Sequence, residues 1–286
     1  MKTICILILL LPLNSIFCQL FTQGLGVTDI EGNSYNTIII NGQEWMAENL
    51  KTTKYANGES IPWMEVNNSF WGNTSVGAYN FYHLDQSFVN QEIYGNLYNG
   101  YSVVDPRGIC PAGWHVPTLE ERNQLINFLG GEYIAGGKMK KITNLWHYPN
   151  TQNLGATNES GFSALPGGKI DCAGCPGTGS SPQYKNINIE ANFWTSSINE
   201  NGLNSMWMYR LHINSTQSDQ YTENQRNGFS VRCINNNYVG INEIKLNSKK
   251  LLKITDLMGR ETSVKQNEIQ LYLFDDGSIE KRLICE

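Results

Sequence analysis

The chain has 286 residues, of which 40% are hydrophobic and 16% charged, with a formal net charge of -5. That balance excludes a disordered chain. An acidic total with no Lys/Arg cluster also gives no electrostatic footing for nucleic acid or an anionic membrane. Length allows one large domain or two smaller ones, and the wealth of Gly, Asn, Ser, Thr and aromatic residues suits a loop-rich, mostly β protein.

Residues 1–18 read as a cleavable signal peptide. Lys2 supplies the positive n-region, residues 4–13 are almost wholly apolar and too short to span a bilayer, and Asn14 and Ser15 break the run. The expected cut lies between Cys18 and Gln19. The alternative is a lipid anchor on Cys18, against which stands bulky Phe17 where a small residue normally precedes such a cysteine. No later run is long enough to span a membrane. Cys5 and Cys18 leave with the signal, while Cys110, Cys172, Cys175, Cys233 and Cys285 remain. Export permits disulfides, so one or two bridges and a spare thiol are expected.

Residues 34–40 are β-branched and aromatic, Asn41-Gly42 is a hairpin signal, and residues 43–50 form the return strand. Asn57-Gly58 marks another turn. From Trp63 to Tyr101 aromatic residues are dense but show no sustained helical period, which reads chiefly as packing beneath long loops. A helix follows Thr118, where Glu121 completes a capping box. Leu119, Leu125, Ile126 and Leu129 share one face, and Gly130-Gly131 ends it. A weaker helical turn is expected around residues 137–142. Residues 143–185 read as loop, and residues 193–197, 206–213 and 228–234 as short strands. After Asn235-Asn236-Asn237 the composition shifts, and residues 246–256, 269–274 and 278–284 read as three strands, the last two joined at Asp276-Gly277. The expected fold class is α+β: a β-rich domain with few helices over residues 19–235, then a small all-β module over residues 236–286.

Six segments, in order, carry a resemblance. They are Gly42-Gln43-Glu44-Trp45-Met46-Ala47-Glu48-Asn49-Leu50, Tyr94-Gly95-Asn96-Leu97-Tyr98-Asn99, Cys110-Pro111-Ala112-Gly113-Trp114-His115-Val116-Pro117-Thr118, Gly161-Phe162-Ser163-Ala164-Leu165-Pro166-Gly167-Gly168, Phe193-Trp194-Thr195-Ser196-Ser197 and Gly228-Phe229-Ser230-Val231-Arg232-Cys233. Through them the chain resembles the Fibrobacter succinogenes major paralogous domain, an exported bacterial family. The resemblance implies a C-type-lectin-like fold, distantly shared with formylglycine-generating enzymes, and no generally established activity. Within it most motif residues read as architecture. Glycines permit turns, Trp45, Trp114 and Trp194 offer core faces, and Cys110 and Cys233, at the two ends of the compact region, suit a bridge that closes the domain. In the tail, residues 251–261 and 269–274 resemble a type IX secretion sorting domain of Bacteroidota. That implies an outer-membrane translocon as partner.

Chemistry is sparse. His83, His115, His147 and His212 form no metal-ligand pair. Cys172-Ala173-Gly174-Cys175 is a CxxC in a Gly/Pro-rich loop, with no second CxxC and no strand-then-helix setting, so a local disulfide outweighs a reactive pair. The cysteines do not fit the oxidising pair of formylglycine-generating enzymes. Asn199, Glu200, Asn201, Asp219, Glu223 and Asn224 carry the hard oxygen that calcium takes. No lectin calcium triplet accompanies them, and no cofactor is expected. A Gly-x-Ser-x-Gly elbow and a phosphate-binding loop are absent. The expected function is an exported, non-catalytic recognition module, secreted or at the outer cell surface, binding glycan or protein through Trp207, Tyr209, Asn224 and Arg226. The alternatives are an exported polysaccharide-active enzyme and a structural component of the envelope.

Overall fold

Asn41 and Gly42 take φ of 48° and 78°, the paired left-handed conformations that a two-residue hairpin needs. Around them a computed structural model describes residues 20–66, 69–82, 89–172, 181–237, 251–275 and 279–283. The signal segment, His83, Cys175, Asp276-Gly277 and Cys285 lie outside the described residues. The described residues fall into two units, residues 20–237 and the tail from residue 251.

The first unit opens with strands β1 (Thr22–Gln23), β2 (Val27–Thr28), β3 (Ser34–Tyr35), β4 (Thr37–Ile40) and β5 (Gln43–Met46). The single strand expected over residues 34–40 is two. β3 pairs with β2, and only β4 joins the hairpin with β5. Short elements follow: α1 (Ser69–Asn73), β6 (Tyr79–Asn80), α2 (Val89–Tyr94), β7 (Leu97–Asn99), α3 (Gly100–Val103) and β8 (Trp114–His115). The three helices fall in the aromatic region where no helical period was read, because helices of one turn or so are too short to show one.

Helix α4 (Leu119–Phe128) begins as expected. Thr118 accepts from the Glu121 backbone N–H, and the Glu121 side chain accepts from the Thr118 N–H. Helix α5 (Glu132–Met139) starts five residues before the turn expected at residues 137–142. Its interior Gly136 and Gly137 hide it from propensity. They are there for contact: a Cβ on Gly136 would lie 2.0 Å from the Gln217 carbonyl oxygen, and one on Gly137 2.4 Å from that of Gly155. Lys140 caps α5 fully buried, its ammonium donating to the Leu154, His212 and Ser215 carbonyls at 2.9, 3.0 and 2.8 Å.

The remaining strands are β9 (Gly167–Asp171), β10 (Gln183–Ile187), β11 (Glu190–Ile198), β12 (Ser205–His212), β13 (Ser218–Asn224), β14 (Gly228–Phe229) and β15 (Ile234–Asn235). The stretch read as loop thus holds β9 and the start of β10, which pair antiparallel. One sheet runs β1-β4-β5-β15-β8, and an eight-stranded sheet runs β13-β12-β11-β9-β14-β7-β6 with β10 on β9. Residues 228–234, expected as one strand, instead cross between the two sheets. Cys233 is bonded to Cys110 on this crossover. Both faces of β11 and β12 are covered. Phe193, Tyr209 and Leu211 pack with Trp45, Phe162 and the α4 residues Leu125 and Ile126, while Trp194, Met206 and Met208 pack with Tyr98, Phe229 and Val231. Trp45 and Trp194 are core, whereas Trp114 is only partly buried. The unit is β-rich with few helices.

The tail is an antiparallel sheet in the order β16 (Leu251–Thr255), β17 (Ile269–Phe274), β18 (Ile279–Leu283). Alternation along β17 buries Gln270, Tyr272 and Phe274. Among the described residues no helix is long and apolar enough to cross a membrane.

Candidate functional site

The four expected contact residues do not form one surface. Register pairs Trp207 with Thr222 and Ser205 with Asn224, so Trp207, Tyr209 and Asn224 share a sheet face. Tyr209, however, is 1% exposed and stacks on Phe193 at 5.0 Å, so its ring belongs to the core. Sequence could not foresee this because β12 is covered on both faces and shows no polar side. Trp207 is half-buried. The Asn224 side chain accepts from the Arg226 N–H at 3.0 Å, shaping the turn into β14. Arg226 lies 5.9 Å from the Tyr101 ring centroid, and its carbonyl accepts from the Trp71 indole at 2.7 Å. Asp219 is ion-paired with Arg210 at 2.9 Å, and Glu223 accepts from Asn227 at 2.8 Å. Cys172 is disulfide-bonded.

The family-like segments meet elsewhere, around Arg232. The chain leaves β5 at Met46, turns Ala47 and Glu48 outward and buries Asn49. The Asn49 amide donates to the Tyr94 carbonyl at 2.8 Å and to Ser230 Oγ at 3.2 Å, while its oxygen accepts from Arg232 Nε at 2.8 Å. Arg232 is 1% exposed and also donates to the Phe162 and Ser163 carbonyls, its guanidinium lying 4.3 Å from the Phe162 ring centroid. Every one of these partners is a neutral oxygen. Burial pulls the guanidinium down to about 10.

Two motif turns fit tightly against this centre. Gly95 has φ of 72°, and a Cβ there would lie 2.8 Å from the Leu50 carbonyl oxygen. Ser163 holds φ of 54°, uncommon without glycine. It is clamped by Asn158, whose oxygen accepts from the Ser163 N–H at 2.8 Å and whose amide meets Ser163 Oγ at 3.0 Å. The left-handed Ser163 backbone lets its carbonyl reach Arg232 from the cleft wall.

Two clefts open above. One, of about 300 Å³, is lined by Tyr35, Asn49, Lys51, Glu92, Leu165 and Arg232 among others. The second, of about 530 Å³, is lined by Phe21, Gln23, Asn36, Asn158 and Gly161 among others. Ala47, Glu48, Lys141 and Ser163 line both, so the two adjoin. Glu48 accepts from the Asn36 N–H at 2.7 Å, and Lys51 pairs with Glu92 at 2.6 Å. The Lys141 ammonium has no ion pair among the described residues.

A family model, the Fibrobacter succinogenes major domain, matches residues 38–235, well over half of the chain. The chain belongs to this family. No curated protein and no solved structure matches the chain. Four of the six segments that carry the family likeness contribute to the clefts: Ala47, Glu48 and Asn49 from the first, Gly95 from the second, Ser163 and Leu165 from the fourth, Arg232 from the last. Sequence reasoning took these family segments as architecture. The available signal was Arg232 itself, the one charge in an otherwise uncharged motif run, which must find several acceptors once buried.

Proposed function

We propose that this family member is an exported recognition module that binds a glycan in the adjoining clefts without turning it over. The observation that carries the reading is the lining of the larger cleft. Phe21, packed at the edge of the core, lines this cleft together with Gln23, Asn36, Asn158 and Glu48. An aromatic side chain with amide and carboxylate groups that keep further acceptor and donor capacity is a suitable set for a polyol's C–H groups and hydroxyls. A protein ligand would use the same donors less fully. The C-type-lectin-like fold is part of the proposal. Its support is the pairing of early β5 with late β15, which joins the two ends of the unit in one sheet.

Export is supported by the Lys2-led apolar segment and by the Cys110–Cys233 disulfide, which needs an oxidising compartment to persist. The tail is proposed as the sorting module, supported by its separation as a β unit. N-terminal sequencing of secreted protein should begin at Gln19, and removal of residues from about 240 to 286 should leave the first unit folded but undelivered in a type IX host.

One observation favours a polysaccharide-active enzyme as the second reading. Burial raises the Glu223 carboxyl above its ordinary value, and nearby Asp171 adds to this against the lowering by Lys169 and the Asn227 hydrogen bond. A carboxyl with a raised pKa is the kind of group that general-acid catalysis uses. Calorimetric titration of the mature protein with a glycan panel, followed by product analysis, separates the two. Saturable heat that falls about tenfold in affinity in Asn158→Ala, with no product, supports the module. Released sugar at many turnovers, abolished in Glu223→Gln, supports the enzyme.

A further inference from the structure

We infer that the ligand of these clefts is an anionic saccharide, its carboxylate or sulfate seated between Lys141 and the floor over Arg232; this rests on the glycan reading above.

The charges facing the smaller cleft decide it. Its cations are Lys51, Lys141 and Arg232 and its carboxylates Glu48 and Glu92, three against two, leaving one positive charge in a chain of net charge -5. The surplus has a definite place. Lys51 and Glu92 neutralise each other at 2.6 Å on the rim. Glu48 accepts from the Asn36 N–H at 2.7 Å, and its carboxylate also acts through space on the Arg232 guanidinium, so it offsets one of the two remaining cations. Arg232 is held only by neutral oxygens, those of Asn49, Phe162 and Ser163. Lys141 is exposed and without an ion pair among the described residues. The hydrogen-bond partners of the buried guanidinium are all neutral, so none of them cancels its charge at contact, and low-dielectric walls focus the cleft's net positive field. The Lys141 ammonium then supplies the direct charge-assisted hydrogen bond.

Size agrees with a saccharide. The two spaces, about 300 and 530 Å³, fall within the range of small-ligand sites, roughly 300–1,000 Å³. The charged end falls in the smaller space and the amide-lined larger one takes the neutral rings. A single surplus charge matches one anionic group per sugar better than a dianionic phosphate.

The test uses the full mature protein in calorimetric titrations with a polyuronate oligosaccharide, a sulfated oligosaccharide and a neutral oligoglucan of equal length. The acidic ligands should bind at least about tenfold tighter than the neutral one and weaken as salt rises. Lys141→Gln should erase the preference of acidic over neutral oligomers, and Lys141→Arg should keep it. The ratio of polyuronate to sulfated affinity identifies the anion. Equal affinity for neutral and acidic oligomers, or a preference that survives Lys141→Gln, overturns the inference while the glycan reading stands. No binding to any of the three overturns both.

Discussion

Asn49 accepts a hydrogen bond from Arg232 Nε at 2.8 Å, tying the end of the first hairpin to the last crossover across 183 positions of chain. Asn49→Ala removes that acceptor and also the donor to Tyr94 and Ser230, leaving buried polar groups unmet. The expected cost is about 1–3 kcal/mol. Denaturant unfolding should show a lowered midpoint with an unchanged slope.

Gly136→Ala sets two effects against each other. Helix propensity favours Ala by about 1 kcal/mol. The new Cβ, however, would meet the Gln217 carbonyl oxygen at 2.0 Å and carbon at 2.5 Å, and backbone cannot rotate aside. Overpacking costs about 1–3 kcal/mol. The variant should be less stable despite the better helix former, which thermal unfolding would read as a lowered Tm. An unchanged or raised Tm would mean that the loop at Thr216–Gln217 yields freely.

Alkaline pH should unfold the protein steeply. Burial raises Tyr35, Tyr98, Tyr184 and Tyr209 above their ordinary value of 10.0. Above that value the unfolded chain releases phenolic protons that the folded chain keeps, so stability falls with pH. The slope is about 1.4 kcal/mol per pH unit for each tyrosine that stays protonated. Lys140 acts in the opposite sense. Burial lowers it from 10.5 to about 8, so over that interval the unfolded chain binds more protons and stability rises. Unfolding free energy against pH should climb gently and then drop, the drop coinciding with the growth of tyrosinate absorbance.

What the sequence disclosed follows from where its signals are local. Asn41-Gly42 and Thr118 with Glu121 announce themselves within a few residues, and the structure places both as read. β13 was invisible because its sequence, Ser-Asp-Gln-Tyr-Thr-Glu-Asn, is that of a polar sheet edge with no apolar alternation. β9 hides behind Gly167-Gly168, whose second member takes φ of 68° against Lys185 and Ile187. The clefts were illegible for a different reason. Asn49, Gly95, Ser163 and Arg232 each look like turn or core, and only the crossover between sheets brings them together.

The Cys110–Cys233 bridge closes the fold over a separation of 123 residues. By chain entropy a loop of that length contributes about 5 kcal/mol. Replacing both cysteines by Ser should therefore lower stability by several kcal/mol in denaturant. Mapping of unreduced peptides should recover Cys110 and Cys233 in one linked fragment. Recovery of both as free thiols would remove the bridge from the account.

The final prediction concerns His115. Its Nε2 lies 2.9 and 3.0 Å from the two Glu121 carboxylate oxygens, and its Nδ1 lies 2.7 Å from the Asn236 side-chain oxygen. Both ring nitrogens face acceptors, so only the imidazolium can donate to both; a neutral tautomer leaves one nitrogen opposed to oxygen. The Glu121 hydrogen bond accordingly raises His115 above 6.5. Burial pushes the Glu121 carboxyl up, but hydrogen bonds from His115 and Thr118 outweigh it and hold it below 4.5. The His115 contribution is full below 6.5 and is lost as pH rises through its raised value. The Glu121 contribution is full above 4.5 and is lost as pH falls through its lowered value. The pair should therefore stabilise most between pH 4.5 and 6.5. Glu121→Gln tests this cleanly, since Gln keeps the capping box at the start of α4 while removing the charge. The stability difference between parent and variant should peak inside that window and shrink above it as His115 deprotonates. In the variant the His115 titration, followed by NMR, should move back toward 6.5. A stability difference that is flat with pH would show that Glu121 acts at this helix start through its hydrogen bonds alone.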